Sequence, residues 1–165
     1  MPERAYIGIG SNLDSPRENC EKAIRMIQSH PQCELTATSS FYETEPVGIK
    51  NQDWFINAAI EIETDLEPLD LLNFLLSIEK DMGRIRGEKW GPRRIDLDIL
   101  FYGNCIMNCP QLDIPHPEIT RRRFVLAPLA EIAGQYIHPA ANKSVTALLA
   151  ELRDDKQIKH PPTSG

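Results

Sequence analysis

Hydrophobic and polar residues alternate along several stretches of the chain, and this spacing predicts β-strands that have two distinct faces. The predicted strands cover residues 4–10, 33–42, 55–64 and 95–101. Apolar residues recur at helical spacing in other stretches. The predicted helices cover residues 16–29, 67–82, 124–133 and 144–152. The order strand, helix, strand, strand, helix, strand favours an α+β fold, a ferredoxin-like antiparallel sheet with helices packed on one face and a ligand cleft on the other.

The strand predicted for residues 95–101 carries acidic residues at alternate positions. Its apolar face is predicted to hold Ile95, Leu97, Ile99 and Phe101. Asp96 and Asp98 then share the opposite face, about 7 Å apart at their Cα atoms. Two carboxylates this close repel each other unless a cation neutralises them, and Mg²⁺ commonly takes one or two carboxylates together with substrate phosphates. The alternative interpretation is a solvated strand face.

The segment before this strand is strongly basic. Residues 84–94 contain five basic residues and one acidic residue, although the chain as a whole has a net charge of −6. Glycines at 83, 87 and 91 disfavour a helix or strand here, so a mobile lid of about a dozen residues is predicted. A basic lid beside paired carboxylates favours a metal-bound polyphosphate ligand.

Glu79 is predicted to face inward from the helix that precedes the lid. Leu72, Leu75 and Leu76 lie seven, four and three residues before it, which places the acid on the apolar face of the helix. A structural ion pair with an arginine is the ordinary explanation of an inward glutamate. The neighbouring basic and acidic residues favour an active-site acid instead.

An aromatic residue and an amide share one face of the strand predicted for residues 55–64. Phe55 could stack on a flat heterocycle while Asn57 reads its hydrogen-bonding edge. Roles as a core residue and a strand-end cap are the alternatives. His116 lies between two prolines and near an arginine run, so it is predicted either to contact phosphate or to have a structural role in its loop.

Composition limits the class of protein further. The chain has 165 residues, 41% of them hydrophobic, which is enough for one domain, predicted over residues 1–158 with a disordered tail over 159–165. No apolar run is long enough for a membrane span, and the acidic net charge disfavours nucleic acid and anionic membranes as partners. The four cysteines lack CxxC spacing and are expected to be free thiols in the cytoplasm. Gly8 and Gly10 match part of a dinucleotide fingerprint, but the third glycine is replaced by Leu13, so that class is excluded.

Five motifs in order give the chain a resemblance to a known family. They are residues 10–13 (Gly-Ser-Asn-Leu), 40–46 (Ser-Phe-Tyr-Glu-Thr-Glu-Pro), 90–98 (Trp-Gly-Pro-Arg-Arg-Ile-Asp-Leu-Asp), 114–117 (Ile-Pro-His-Pro) and 122–124 (Arg-Arg-Phe). The chain resembles the 6-hydroxymethyl-7,8-dihydropterin pyrophosphokinases of folate biosynthesis over nearly its whole length. The resemblance implies transfer of pyrophosphate from ATP to the hydroxymethyl group of the pterin, with release of AMP, by a monomeric cytoplasmic enzyme.

The same resemblance implies roles for individual residues. Asp96 and Asp98 would bind two Mg²⁺ ions, and Arg84 and Arg93 would act with them in catalysis by neutralising charge. The implied ATP-binding residues are Glu79, Arg86, Trp90, Arg93, Ile99, His116 and Arg122. The implied pterin-binding residues are Thr44, Pro46, Val47, Phe55, Asn57 and Phe124. At Gln111 the chain departs from those members that carry an arginine.

Two other functions are compatible with paired aspartates on a ferredoxin-like sheet. A palm-like nucleotidyl transferase would also use two metal ions, but it would release pyrophosphate instead of AMP. A non-catalytic ferredoxin-like module would bind a nucleotide or a folate without turnover and without dependence on magnesium.

Overall fold

The computed structural model describes residues 2–12, 15–44, 55–83 and 95–152, together with the backbone of 158–159. The strands are β1 (Glu3–Ser11), β2 (Cys33–Thr38), β3 (Tyr42–Thr44), β4 (Phe55–Thr64), β5 (Asp96–Tyr102), β6 (Met107–Cys109), β7 (Leu112–Ile114) and β8 (Ile158–Lys159). The helices are α1 (Pro16–Gln28), α2 (Pro68–Asp81), α3 (Arg123–Ala133) and α4 (Val145–Glu151), and a 3₁₀ turn spans Ile119–Arg121.

Six strands form one antiparallel sheet. Its order is β5-β1-β4-β3-β8, and β2 pairs with the other end of β4 beside β3. The strands β6 and β7 form a separate hairpin. Because β1 and β4 are central and covered on both faces, their sequences are almost continuously apolar or small. The predicted α+β class with an antiparallel sheet is confirmed.

The single strand predicted for residues 33–42 is two strands, because a side chain interrupts the ladder between them. The Ser39 N–H still donates to the carbonyl of Ala59 at 2.9 Å, but the Ala59 N–H donates to the Ser39 hydroxyl, also at 2.9 Å. The hydroxyl takes the place of a main-chain acceptor, so the backbone can bend between β2 and β3 without leaving a buried donor unpaired.

One hydrophobic core lies between the sheet and the helices α1 and α2. It contains buried aliphatic residues of β1, β4 and β5 packed on those of the two helices, including Ile7, Ile9, Ile60, Ile62, Ile27, Leu71, Leu75 and Ile78. Each of these side chains is at most 2% exposed. Burial of this apolar surface is the main stabilising contribution on this face of the sheet.

A second core lies on the opposite face, where α3 and α4 pack. It includes Tyr6, Ala59, Leu100, Phe101, Leu126, Leu129, Val145 and Leu148. The sequence predicted that all the helices pack on one face of the sheet. In the structure they pack on both faces, because residues 123–151 return across the far face. The part of that face that α3 and α4 leave uncovered is where the cleft described below lies.

A β-bulge in β5 corrects the predicted assignment of its faces. Ile99 pairs with Ile7, whereas Phe101 pairs with Tyr6, so one step along β1 corresponds to two residues of β5. The extra residue reverses the alternation. Phe101 consequently lies in the second core with Leu100, and the prediction that it shares a face with Ile99 was wrong.

The last described strand involves the predicted tail. Lys159, predicted to be its first residue, pairs with Glu43, and Ile158 pairs with Thr44. Residues 160–165 lie outside the described residues. None of the described helices combines the length and the apolar character that crossing a membrane would require.

Candidate active site

A cleft of about 180 Å³ opens on the face of the sheet opposite α1 and α2. Four strands (β1, β3, β4 and β5) and the start of α3 contribute to it. Its lining consists of Gly8, Ile9, Gly10, Thr44, Phe55, Asn57, Ala58, Asp96, Asp98, Leu100, Arg122, Phe124 and Val125. The cleft thus brings together residues that are up to 117 positions apart in the sequence, because β1 lies between β4 and β5.

The strand register arranges these residues in rows across the sheet. Gly10 of β1 pairs with Asn57 of β4 on one side and with Asp96 of β5 on the other. One step away, Gly8 pairs with Ala59 and with Asp98. Paired residues project to the same face, so the amide and the nearer carboxylate stand two strands apart, roughly 10 Å. Only glycine lies between them.

The two aspartates project from the same face of β5, as the alternation predicted. Asp96 is half-buried and Asp98 is exposed, and both line the cleft. Within the described residues, no group of three or more histidine, cysteine or acidic side chains could enclose a metal ion. In the part of the chain that the structure describes, the donors are two carboxylates, which fit Mg²⁺ because this ion completes its coordination with water and phosphate oxygens. The donor set is therefore compatible with magnesium.

Glu79 supports the strand that carries the aspartates. It projects from the end of α2, is 6% exposed, and its Oε2 accepts a hydrogen bond of 2.8 Å from the backbone N–H of Leu97. Glu79 does face inward as predicted, but Leu76, one of the residues used to place it, is 43% exposed. β5 is at the edge of the sheet, so an N–H that points outward from it has no neighbouring strand to accept its hydrogen bond. Glu79 gives the outward N–H of Leu97 a buried acceptor.

The carboxamide of Asn57 is fixed by a hydroxyl of β3. Its Nδ2 donates a hydrogen bond of 2.5 Å to Oγ1 of Thr44, which is itself only 2% exposed. With the nitrogen held there, Oδ1 lies on the side of the carboxamide nearer β1. The amide therefore has a defined orientation in the cleft.

Hydrogen bonds to a carboxylate of α3 join that helix to β3, the strand that carries Thr44, and to the residues just before it. Glu131 accepts hydrogen bonds from the Ser40 N–H at 2.9 Å, the Ser40 hydroxyl at 2.8 Å and the Tyr42 hydroxyl at 3.0 Å. Burial, and then this hydrogen bond to a carboxylate, raise the pKa of Tyr42 to about 12, so the phenol stays protonated and donates at neutral pH. The contact fixes α3, and with it one wall of the cleft, relative to β3.

Two aromatic side chains line the cleft from different elements. Phe55 begins β4 and Phe124 lies in the first turn of α3. Beside Phe124, the guanidinium carbon of Arg122 lies 5.4 Å from the centroid of its ring, a cation–π distance. The Nε of Arg122 also lies 3.7 Å from the carboxylate of Glu118. The cleft therefore combines flat apolar surfaces with one described cation.

His116 has its tautomer fixed by the backbone. Its Nδ1 accepts a hydrogen bond of 3.1 Å from the backbone N–H of Glu118. The backbone N–H of His116 separately donates to the carbonyl of Leu100 at 3.1 Å. In the neutral ring, Nε2 must then carry the proton and can only donate. His116 lines a separate open depression with His138, outside the cleft that holds the aspartates.

The side chain of Ile99 belongs to the first core and is 2% exposed, so only its main chain is available to a ligand. Six predicted site residues lie outside the described residues: Pro46, Val47, Arg84, Arg86, Trp90 and Arg93. Sequence reasoning missed Gly8 and Gly10 as the floor of the cleft. The two glycines are two residues apart on a central strand, so they lie on the same face. This spacing was the signal in the sequence that could have identified them.

The protein has an α+β fold with an antiparallel sheet, and its cleft has paired carboxylates and aromatic walls. This combination is typical of an enzyme that acts on a small phosphorylated ligand. A family model described as 7,8-dihydro-6-hydroxymethylpterin-pyrophosphokinase, abbreviated HPPK, matches residues 6–134. The chain belongs to this family.

Individual relatives agree with the family match. A 2-amino-4-hydroxy-6-hydroxymethyldihydropteridine pyrophosphokinase of Haemophilus influenzae is 43% identical over 158 residues, which are 96% of this chain and 98% of that protein. The enzyme of the same name from Bacillus subtilis is 44% identical over 135 residues, 82% of this chain and 81% of the relative.

A solved structure agrees with the fold. The crystal structure of wild-type Plasmodium falciparum HPPK-DHPS matches 92% of this chain with a TM-score of 0.74 and 17% sequence identity. The match covers 45% of that longer chain, so this protein spans less than half of it. At this identity the likeness extends to the fold alone.

Proposed function

We propose that the chain transfers the pyrophosphoryl group of ATP to the hydroxymethyl group of 6-hydroxymethyl-7,8-dihydropterin in folate biosynthesis. The hydroxymethyl oxygen attacks the β-phosphorus and loses its proton, and the bond from the β-phosphorus to the oxygen bridging to the α-phosphate breaks. The products are AMP and the pterin diphosphate. Membership of the pyrophosphokinase family supports this reaction. One observation carries this proposal. Asp96 and Asp98 line the same cleft as Asn57, and the glycines of β1 lie between the aspartates and the amide.

The pterin binds at the end of the cleft formed by β3, β4 and α3. Phe55 and Phe124 give it two flat apolar surfaces, and Asn57 and Thr44 give it polar partners. A pterin is flat and apolar on its faces and carries N–H donors and acceptors along its edge, which matches this combination. Pro46 and Val47 are proposed to complete this end of the site.

The phosphates of ATP bind at the β5 end. Asp96 and Asp98 would hold magnesium there, and two ions are proposed. Magnesium, when bound, neutralises charge on the phosphate oxygens during the transfer. Arg122 contributes a cation from the edge of the cleft, and His116 can donate from Nε2 to a phosphate oxygen.

The remaining ATP contacts are proposed for residues around the lid. Arg84 and Arg93 neutralise the charge that develops on the oxygens of the transferred group, and Arg86 and Trp90 hold ATP. Ile99 contributes through its main chain.

The protein is proposed to act in the cytoplasm as a monomer. The four cysteines are free, and burial raises the pKa of the Cys20 thiol to about 12, so this thiol is unreactive at neutral pH. Free buried thiols suit a reducing compartment. Nucleic acid and membrane are not proposed as partners.

Replacement of the exposed aspartate tests the proposed metal site. Asp98→Asn keeps the size and the strand geometry but removes a charged ligand, so turnover should fall by at least about a hundredfold. Asp113→Asn is the matched control, because Asp113 is also an exposed strand aspartate but lies on β7, outside the cleft. AMP formation should be measured across a range of Mg²⁺ concentrations. Near-normal turnover of Asp98→Asn would remove the metal assignment.

A further inference from the structure

We infer that Gly10 determines recognition of the heterocycle, because the lack of a side chain at Gly10 lets the carboxamide oxygen of Asn57 lie beside β1, where it is available to the ligand. This inference rests on the proposed function, since it assigns a determinant within the same pterin site. Gly10 acts through Asn57 and is therefore a positioning residue.

The distance between Gly10 and Asn57 is the first argument. The two residues form a cross-strand pair between β1 and β4. A Cβ atom built on Gly10 would lie 2.6 Å from Oδ1 of Asn57, closer than real Cβ contacts come. Any residue other than glycine at this position would have to displace the carboxamide oxygen.

The second argument is that the carboxamide cannot move without losing its other contact. Nδ2 donates to Oγ1 of Thr44 at 2.5 Å, and the Thr44 side chain is buried. Rotation that moves Oδ1 away from β1 also moves Nδ2 away from this hydroxyl, because the amide group is planar. Gly10 on one side and Thr44 on the other therefore hold one orientation, with Oδ1 as an acceptor for an N–H of the heterocycle.

The backbone conformation at residue 10 does not require a glycine. Among the described residues, the glycines with positive φ are Gly83 and Gly103, and Gly10 is not one of them. The atom that its Cβ would meet is also the end of a side chain and not main chain. A methyl group at residue 10 should therefore leave the fold intact and disturb the site, which is the pattern of a positioning residue.

Gly8 offers a matched comparison on the same strand and the same face. A Cβ built there would lie 3.4 to 3.6 Å from the Leu100 side chain, which is ordinary van der Waals contact. Gly8 pairs with Ala59, not with Asn57. Gly8→Ala adds the same methyl group to the same cleft without touching the carboxamide.

The experiment measures the dissociation constant of the reduced hydroxymethylpterin by calorimetry, with Mg²⁺ and a non-hydrolysable ATP analogue present. Gly10→Ala should weaken pterin binding by about tenfold, the effect of one lost hydrogen bond in a desolvated site. The dissociation constant of the ATP analogue and the thermal unfolding midpoint should stay close to the wild-type values. Gly8→Ala should weaken pterin binding less than Gly10→Ala does.

A double-mutant cycle separates positioning from simple loss of space. In the Asn57→Ala background, Gly10→Ala should have almost no further effect on pterin binding, because the group through which it acts is gone. An equal loss in both backgrounds, or an equal loss for Gly8→Ala, would overturn the inference. Failure of the wild-type protein to bind the pterin at all would instead overturn the proposed function, so the two failures are distinguishable.

Discussion

Several single side chains in this protein take the place of main-chain partners in hydrogen bonds. The Ser39 hydroxyl accepts from a strand N–H, Glu79 accepts from the N–H of Leu97, and His138 accepts from two successive turn N–H groups. Each acceptor is buried, and a buried N–H without a partner is costly. At the residue scale, these three side chains satisfy backbone N–H groups at a strand break, on an edge strand and in a turn.

The imidazole of His138 makes stability depend on pH. Nδ1 accepts from the N–H groups of Ala140 at 3.1 Å and Ala141 at 3.0 Å, and the ring packs edge-on against Phe101. Burial lowers the pKa of His138 below its usual value. In the window between the lowered folded pKa and the unfolded pKa of about 6.5, the unfolded chain binds more protons, so the free energy of unfolding falls as pH falls.

Urea unfolding at several pH values on both sides of this window measures the effect. His138→Asn is the control, because an asparagine oxygen can accept from the same turn N–H groups without titrating. The variant should lose less stability than the wild type between neutral and mildly acidic pH. Identical slopes for the two proteins would show that His138 does not carry the dependence.

At the scale of elements, β5 shows what an alternating pattern reveals and what it does not. The pattern predicted the strand and placed Asp96 and Asp98 together, because strict alternation has period two. It could not reveal the bulge, since Leu100 and Phe101 are both apolar and each suits either face. The break between β2 and β3 was hidden for a similar reason, because Ser39 continues a run of strand-compatible residues.

The hydrogen bond between α2 and β5 gives a second prediction at this scale. Glu79→Ala leaves the Leu97 N–H without its acceptor and should destabilise the protein by about 1 to 3 kcal/mol. Because Leu97 separates the two aspartates, the Mg²⁺ concentration needed for half-maximal activity should also rise. Denaturant unfolding and a magnesium titration measure the two effects.

The conservative variant at this position separates hydrogen bonding from charge. Glu79→Gln keeps an oxygen acceptor for the Leu97 N–H, so it should keep most of the stability and the magnesium dependence. If Glu79→Gln lost as much stability and magnesium affinity as Glu79→Ala, the negative charge of Glu79 would be the important property, and its hydrogen bond to β5 would not be.

At the scale of the whole molecule, two cores share one sheet. Leu75 lies in the core with α1 and α2, Leu129 lies in the core with α3 and α4, and both are fully buried. Since β1, β4 and β5 contribute side chains to both cores, loss of either core should unfold the other. The described structure is therefore expected to unfold in one cooperative step.

Truncation in each core tests this coupling. Leu75→Ala and Leu129→Ala should each lower the free energy of unfolding by about 2 to 5 kcal/mol, from lost burial and the cavity left behind. Calorimetry and far-ultraviolet circular dichroism should still show a single transition in both variants. Two separate transitions in the Leu129→Ala protein would mean that α3 and α4 form an independent unit.

The arrangement of the cleft also belongs to the whole molecule. Local patterns identified Asp96, Asp98, Phe55 and Asn57 as separate candidates, but their alignment in rows requires β1 to lie between β4 and β5. Strand order depends on contacts distant in sequence, which no local period encodes. The family motifs supplied this information indirectly, and the glycine floor became evident only from the register.

The reaction itself is tested most directly by phosphorus NMR of the full chain with ATP, Mg²⁺ and reduced hydroxymethylpterin, compared with the same mixture without the pterin. Pterin-dependent AMP together with a pterin diphosphate is the predicted result. Release of ADP would mean transfer of a single phosphoryl group, and free pyrophosphate would indicate a nucleotidyl transferase. Either product, or binding of both substrates without turnover, would contradict pyrophosphoryl transfer in this cleft.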